Sequence, residues 1–233
     1  MKKNFYNFLI FLLSIGIISC ETKEIIPSDT LEGEEYFPLG KGAYTVYKVT
    51  ETKYSIVSGN ETREYFLKEV VADSASDDFN NLVYRIERFS KDNEEDPWDL
   101  DSVWTARKSG NQFIKVENNI EFVKLVIPVK EGKEWNGNAF NSREKETYRM
   151  EMVHQPLLLN DIQFDSTLTQ IQKMDSNVVA QDFRTEIYAK GVGLIYKKFI
   201  VTTNHQENGS IVFPIKIDNG IDLTQTIIEY GTE

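Results

Sequence analysis

From Tyr36 onward the chain is a succession of short aromatic and β-branched runs separated by polar turns. No stretch keeps an apolar i, i+3, i+4, i+7 pattern over three turns, so long amphipathic helices are excluded. Successive residues of a strand face opposite sides, and period-two runs therefore commit a chain to sheet. In residues 82–89, Leu82, Tyr84 and Ile86 share one face while Val83, Arg85 and Glu87 share the other. Comparable runs lie at 43–57, 63–72, 102–107, 112–116, 122–129, 148–153, 168–174, 184–189, 194–202, 210–217 and 223–230. They predict roughly eleven to thirteen strands. Ser58-Gly59-Asn60 and Ser109-Gly110-Asn111 read as hairpin turns. Residues 122–129 are apolar in both phases, which predicts a central strand or one covered on both faces. Only 178–183 has the character of a short helix. The fold class expected is all-β: a single domain, 36–233, on a large curved antiparallel sheet, half-barrel or barrel-like. With almost no helix to cover it, such a sheet must curl onto itself. The pattern leaves open whether the interior is solid or encloses an apolar cavity.

Ahead of this domain stand Lys2 and Lys3, an uncharged apolar run from Phe5 to Ile18, and then Ser19-Cys20. A basic start, a short apolar middle and a small residue before the cut are the parts of a secretory signal. The run is short for a membrane span, which needs about 20 apolar residues. Ending on the only cysteine of the chain, the segment resembles bacterial lipoprotein signal peptides. That resemblance implies cleavage after residue 19 and a lipid on Cys20, which then anchors the protein to a membrane. Residues 20–35 carry six acids, one lysine, a proline and a glycine, the composition of a solvated tether. Acids just after the lipidated cysteine also resemble the surface-export signals of Bacteroidota lipoproteins. An envelope location, at the outer membrane of a Gram-negative cell, follows from these resemblances.

Without residues 1–19 the chain holds 24 basic and 37 acidic residues, a net charge of −13. So acidic a surface with no basic run has no footprint for nucleic acid. It gains nothing from an anionic bilayer either, so membrane attachment falls to the lipid. With Cys20 acylated, no disulfide can form and no cysteine remains for a nucleophile or a metal.

Three segments resemble uncharacterised Bacteroidota envelope lipoproteins. The first is Glu35-Tyr36-Phe37-Pro38-Leu39 with Gly42 and Tyr47. The second runs over 122–129 and on through Gly132-Lys133-Glu134-Trp135-Asn136-Gly137-Asn138. The third spans 187–196, with Gly191 and Gly193 at its centre. Some relatives are similar to the half-barrel sheets of lipoprotein carriers, which hold acyl chains on the concave side; the resemblance implies a fold and no assigned activity.

No catalytic constellation emerges. His154 and His205 stand far apart without a zinc-type spacing or a nucleophile elbow beside them. The six carboxylates of 92–101 would suit calcium oxygens but lack an ordered ligand spacing, and a solvated loop accounts for them. Trp104, in an alternating run, belongs to the core. Trp135 beside Asn136 and Gly137 would suit a sugar face, and equally a turn in which Gly137 takes positive φ and the indole folds onto the sheet edge. Gly191 and Gly193 predict a bulge or sharp bend, because no helix follows to make a phosphate loop. Thr30, Ser74, Ser102 and Ser166 each follow an aspartate and precede an apolar or small residue, matching O-glycosylation sites of Bacteroidota exported proteins. The expectation is a non-catalytic binding protein, for a lipid-like ligand or a surface partner, without metal or cofactor. Alternatives are a glycan-handling or hydrolytic enzyme and a purely structural lipoprotein.

Overall fold

The computed structural model describes residues 32–77 and 81–233. The signal segment, Cys20, Thr30 and the rest of the stretch to residue 31 lie outside the described residues. One antiparallel meander comprises β1 (Ala43–Ser55), β2 (Glu61–Ser76), β3 (Leu82–Lys91), β4 (Asp99–Ser109), β5 (Gln112–Glu117) and β6 (Ile120–Val126). A second comprises β7 (Glu134–Asn136), β8 (Thr147–Leu159), β9 (Ile162–Ser176), β10 (Ala180–Ala189) and β11 (Gly193–Asn204). A two-stranded ribbon of β12 (Gln206–Glu207) and β13 (Ser210–Ile211) follows. The last strand, β14 (Ile217–Thr232), pairs with β1 on one side and β11 on the other, joining both meanders into a twelve-stranded sheet.

The outermost strands of that sheet, β6 and β7, meet. Val123 N–H donates to the Gly137 carbonyl at 2.9 Å and the Trp135 indole N–H donates to the Val123 carbonyl at 2.8 Å. The sheet is thereby nearly closed into a barrel, the all-β fold that the strand pattern predicts. Near-closure leaves few unpaired edge groups, which an open sheet of this size would have to protect.

Several local expectations change. Residues 123–127 are buried on both phases, but the strand is outermost in the sheet rather than central, and the Trp135 seam covers it. It ends at Val126, two residues before Pro128, which has no N–H for a ladder. The 210–217 run breaks in the same way around Pro214, between β13 and β14. Residues 178–183 are no helix. Asn177 Oδ1 accepts from the N–H groups of Val179 and Ala180, making a turn, and β10 then pairs with both β9 and β11. Gly137 does not use positive φ. It is needed because a Cβ there would lie 2.3 Å from the Tyr148 ring. Most strands also outrun their hydrophobic patterns: β9, for instance, covers Ile162–Ser176 where 168–174 is patterned. The pattern marks only the part that meets the core, whereas ladder hydrogen bonds continue into polar sequence.

The folded part reaches four residues ahead of the expected boundary at Tyr36. Glu32 O accepts from Val129 N–H at 3.1 Å and Glu35 O accepts from Gly191 N–H at 2.7 Å. A single 3-10 turn, Glu34–Tyr36, delivers Tyr36 fully buried into the core, and Phe37 stacks on Phe113 at 5.1 Å. Residues 32–39 thus form a strap across one end of the barrel. Acids assigned to the tether fasten it, Glu35 to Lys190 at 2.8 Å and Glu34 to Lys108.

Candidate functional site

Two apolar clusters leave a charged zone between the walls. One cluster gathers Phe113, Val123, Leu125, Trp135, Tyr148 and Met150 around Tyr36, and the other holds Tyr47, Val49, Leu67, Phe164, Ile195 and Ile227. Opening at the strap end is a cleft of about 280 Å³. Its rim is Phe37, Pro38 and Leu39 of the strap with Val192 and Leu194 of the β10–β11 turn. Tyr44 and Tyr230, at the ends of β1 and β14, form a side. Deeper, the lining turns ionic, with Glu69, Lys115, Glu117 and Lys124.

These charges form two neighbouring sets of ion pairs. Glu69 takes Arg88 Nε at 2.9 Å and Lys115 Nζ at 2.8 Å. Lys124 Nζ lies 2.7 Å from Glu186 and 3.2 Å from Glu117, and Lys197 lies 3.4 and 3.7 Å from the same two acids. Tyr188 Oη donates to Glu186 at 2.5 Å. Register explains the gathering: Lys197 on β11 lies opposite Glu186 on β10 and opposite Gln225 on β14, and side chains directly opposite share a face. Burial by itself would raise the Glu117 carboxyl, yet Lys124, Lys197 and Lys115 overcome it and hold it well below the ordinary range. Glu69 and Glu186 behave likewise, burial opposing and the neighbouring ammonium and guanidinium groups prevailing. Burial would also discharge Lys124, but Glu117 and Glu186 keep it charged, above its usual range. Glu69, Glu117, Glu186 and Lys124 are therefore ionised at neutral pH.

Two buried donors go without acceptors in the interior. Trp104 is half-buried, its ring 3.7 Å from the Arg88 guanidinium and 4.9 Å from Lys115 Nζ. Its indole N–H and one amide nitrogen of Gln225 are buried without a hydrogen-bond partner.

The residues singled out from sequence are dispersed. Gly191 and Gly193 make the β10–β11 turn at the cleft rim, with φ of 75° and 95°, a sharp bend as expected. The 92–98 loop is solvated, Asp92 pairing with Arg63 and Asp96 accepting from Asn93. Among the described residues no group of three or more His, Cys, Asp or Glu side chains is placed to hold a metal. Trp135 is buried at the seam and unavailable to a sugar. Ser74 is exposed on β2, and Ser102 donates to Asp101 at 2.8 Å.

Ser166 has the most notable surroundings. Its Oγ is 2.6 Å from Tyr36 Oη and 3.4 Å from His154 Nδ1, and His154 Nε2 is 3.3 Å from Glu32. Met152 and His154 both take positive φ, in a stretch where the β8–β9 register slips. Serine, histidine and carboxylate thus stand in the order of a nucleophile, base and orienting acid. Tyr36 Oη, however, is closer to His154 Nδ1, at 2.8 Å, than the serine is, and neither Ser166 nor His154 lines the cleft. The group fastens the strap. His205 pairs with Asp218 at 2.8 Å, near the far end of the barrel.

The ionic interior was missed because its members lie on β2 to β6, β10 and β11, and no spacing within one strand marks them. The one signal was the lysines and glutamates sitting inside otherwise apolar runs, Lys124 in 122–129 above all.

No protein-family model matches the chain, and no curated protein matches it. Among solved structures it is similar to a crystal structure of a “putative lipoprotein” from Parabacteroides distasonis, at 10% identity and a TM-score of 0.42. The alignment covers 88% of this chain and 100% of that one. So loose an overlap transfers no residue and no role.

Proposed function

We propose that this is a lipid-anchored protein of the cell envelope, held through Cys20, whose barrel binds an amphipathic small molecule beneath the strap without transforming it. The cleft carries this reading: an aliphatic and aromatic rim set over ionised side chains, in an interior left partly unfilled. Pockets of that construction, mostly apolar with a few placed polar groups, are the usual form of small-molecule sites. A wholly apolar ligand would strand the four charged side chains at depth, so the ligand has a polar part. The cleft opens at the end where the chain enters from Glu32. Twelve residues separate Glu32 from Cys20, a reach of at most about 40 Å, so an anchored barrel keeps this mouth near the bilayer. A surface partner is the second reading, favoured by exposed apolar side chains such as Val57 and Phe213 at the opposite end.

The test has two readouts. The Cys20→Ala chain leaves the membrane fraction, and a fluorescent fatty-acid probe binds the protein saturably, with affinity reduced at least about tenfold by Leu39→Asp at the rim. A Cys20→Ala chain that still pellets in high salt overturns the anchor. Absence of both saturable binding and co-purified lipid overturns the cleft and leaves the surface partner.

A further inference from the structure

We infer that the polar part of the ligand is an anion, a carboxylate or phosphate head on an apolar chain, seated against Lys115 with the chain directed to the strap. This rests on the cleft being the binding site. The argument begins with charge. Three acids, Glu69, Glu117 and Glu186, face four bases in two sets of ion pairs, Arg88 and Lys115 on Glu69, and Lys124 and Lys197 on Glu117 and Glu186. Each acid is shared by two bases. Asp101 joins only through Arg88, at 3.4 Å, and is nearly half exposed, where water screens it. Lys124 and Lys197 balance Glu117 and Glu186, whereas Arg88 and Lys115 share the one buried acid Glu69, which leaves a positive surplus at Lys115.

Hydrogen bonding points the same way. An ammonium has three donors and no acceptor. Lys115 makes one hydrogen bond, to Glu69, and otherwise lies near the Trp104 ring. Lys197 meets its acids only at 3.4 and 3.7 Å. The Trp104 indole, beside Lys115, and a Gln225 amide nitrogen are further buried donors lacking acceptors, set behind the cleft lining. Such a set is completed by oxygens that accept, and a carboxylate or phosphate brings several on one group. A cation would add to the surplus, and a neutral hydroxyl would bring one acceptor and no charge. Glu69 and Glu117 also line the cleft, but each is already held between two bases, and Glu117 is only 15% exposed.

The experiment titrates the full chain, in a fixed concentration of neutral maltoside detergent at pH 7.5, with four probes of one chain length. They are dodecanoate, monododecyl phosphate, dodecanol and dodecylammonium. Expected is binding of at least one anion about tenfold or more tighter than dodecanol, with dodecylammonium weakest. The tighter anion then identifies the head as fatty-acid-like or phospholipid-like. Lys115→Met brings the anion-to-dodecanol ratio toward one while dodecanol binding holds. Equal binding of all four, or tighter binding of dodecylammonium, overturns the anionic head and leaves the cleft standing. Binding of none removes the cleft, and this inference with it. The wild-type ladder decides the matter even if the Lys115 variant fails to fold.

Discussion

The two ends of the barrel are built differently. At the strap end the walls are covered: residues 32–39 cross the opening, the β10–β11 turn packs on Pro38, and ionised side chains lie beneath. The β8–β9 hairpin bends in as well, so that Asn160 donates to the Ile227 carbonyl at 3.0 Å on β14, and Phe164 lies 6.1 Å from Tyr230. At the other end the same strands run past the core. Ile56 and Val57 cap the β1–β2 turn, Val178 and Val179 the β9–β10 turn, and Phe213 the β11–β14 connection, all exposed. Ladder hydrogen bonds and short-range side-chain caps, such as Ser55 Oγ accepting from the Val57 and Ser58 N–H groups, hold those tips. One end is specified by contacts that fit only one way, the other by backbone pairing that tolerates many side chains.

Three substitutions sharpen or break this contrast. Glu186→Ala has the largest effect, since it leaves Lys124 with only the longer contact to Glu117 and orphans the Tyr188 hydroxyl. Breaking one partner of a buried ionic set costs about 3–5 kcal/mol. Urea unfolding measures it, and a loss under about 1 kcal/mol means that water enters the interior freely and the covered end is not dry. Next is Gly193→Val. The backbone there has φ of 95°, strained for any β-branched residue, and a Cβ would lie 3.4 Å from Pro38. A loss of about 1–3 kcal/mol is expected. An unchanged melting temperature removes the special backbone from this turn. Smallest is Val57→Ser at the far end, where the side chain is 93% exposed. Stability stays within about 0.5 kcal/mol of the parent. A larger loss shows that the tip is covered in solution, by a second copy or another partner, and erases the difference between the ends.

How much of this was legible beforehand follows the same division. Period-two runs such as Leu82 to Phe89 declared strands, and the Ser-Gly-Asn turns at 58–60 and 109–111 declared hairpins, because both are local properties of backbone and side chain. The bend at Gly191 and Gly193 was readable for the same reason. The acidic run 32–35 was misread as wholly solvated, since Glu34 and Glu35 find Lys108 and Lys190, and the Glu32 carbonyl finds the Val129 N–H, only after the barrel exists.

What the sequence determined by itself, then, is the all-β class, the strands of the core and most of their turns. These depend on the alternation of apolar residues and on glycine and proline, which act within a few positions. Tertiary structure alone decided that β14 joins two meanders, that β6 and β7 meet at Trp135, and that Lys124 lies against Glu186 from 62 positions away. A lysine in an apolar run is a defect to local reasoning. Only when the closing sheet brings Glu186 across the interior to Lys124 does its charge become cheaper to keep than to neutralise, and that closure is set by the whole sheet.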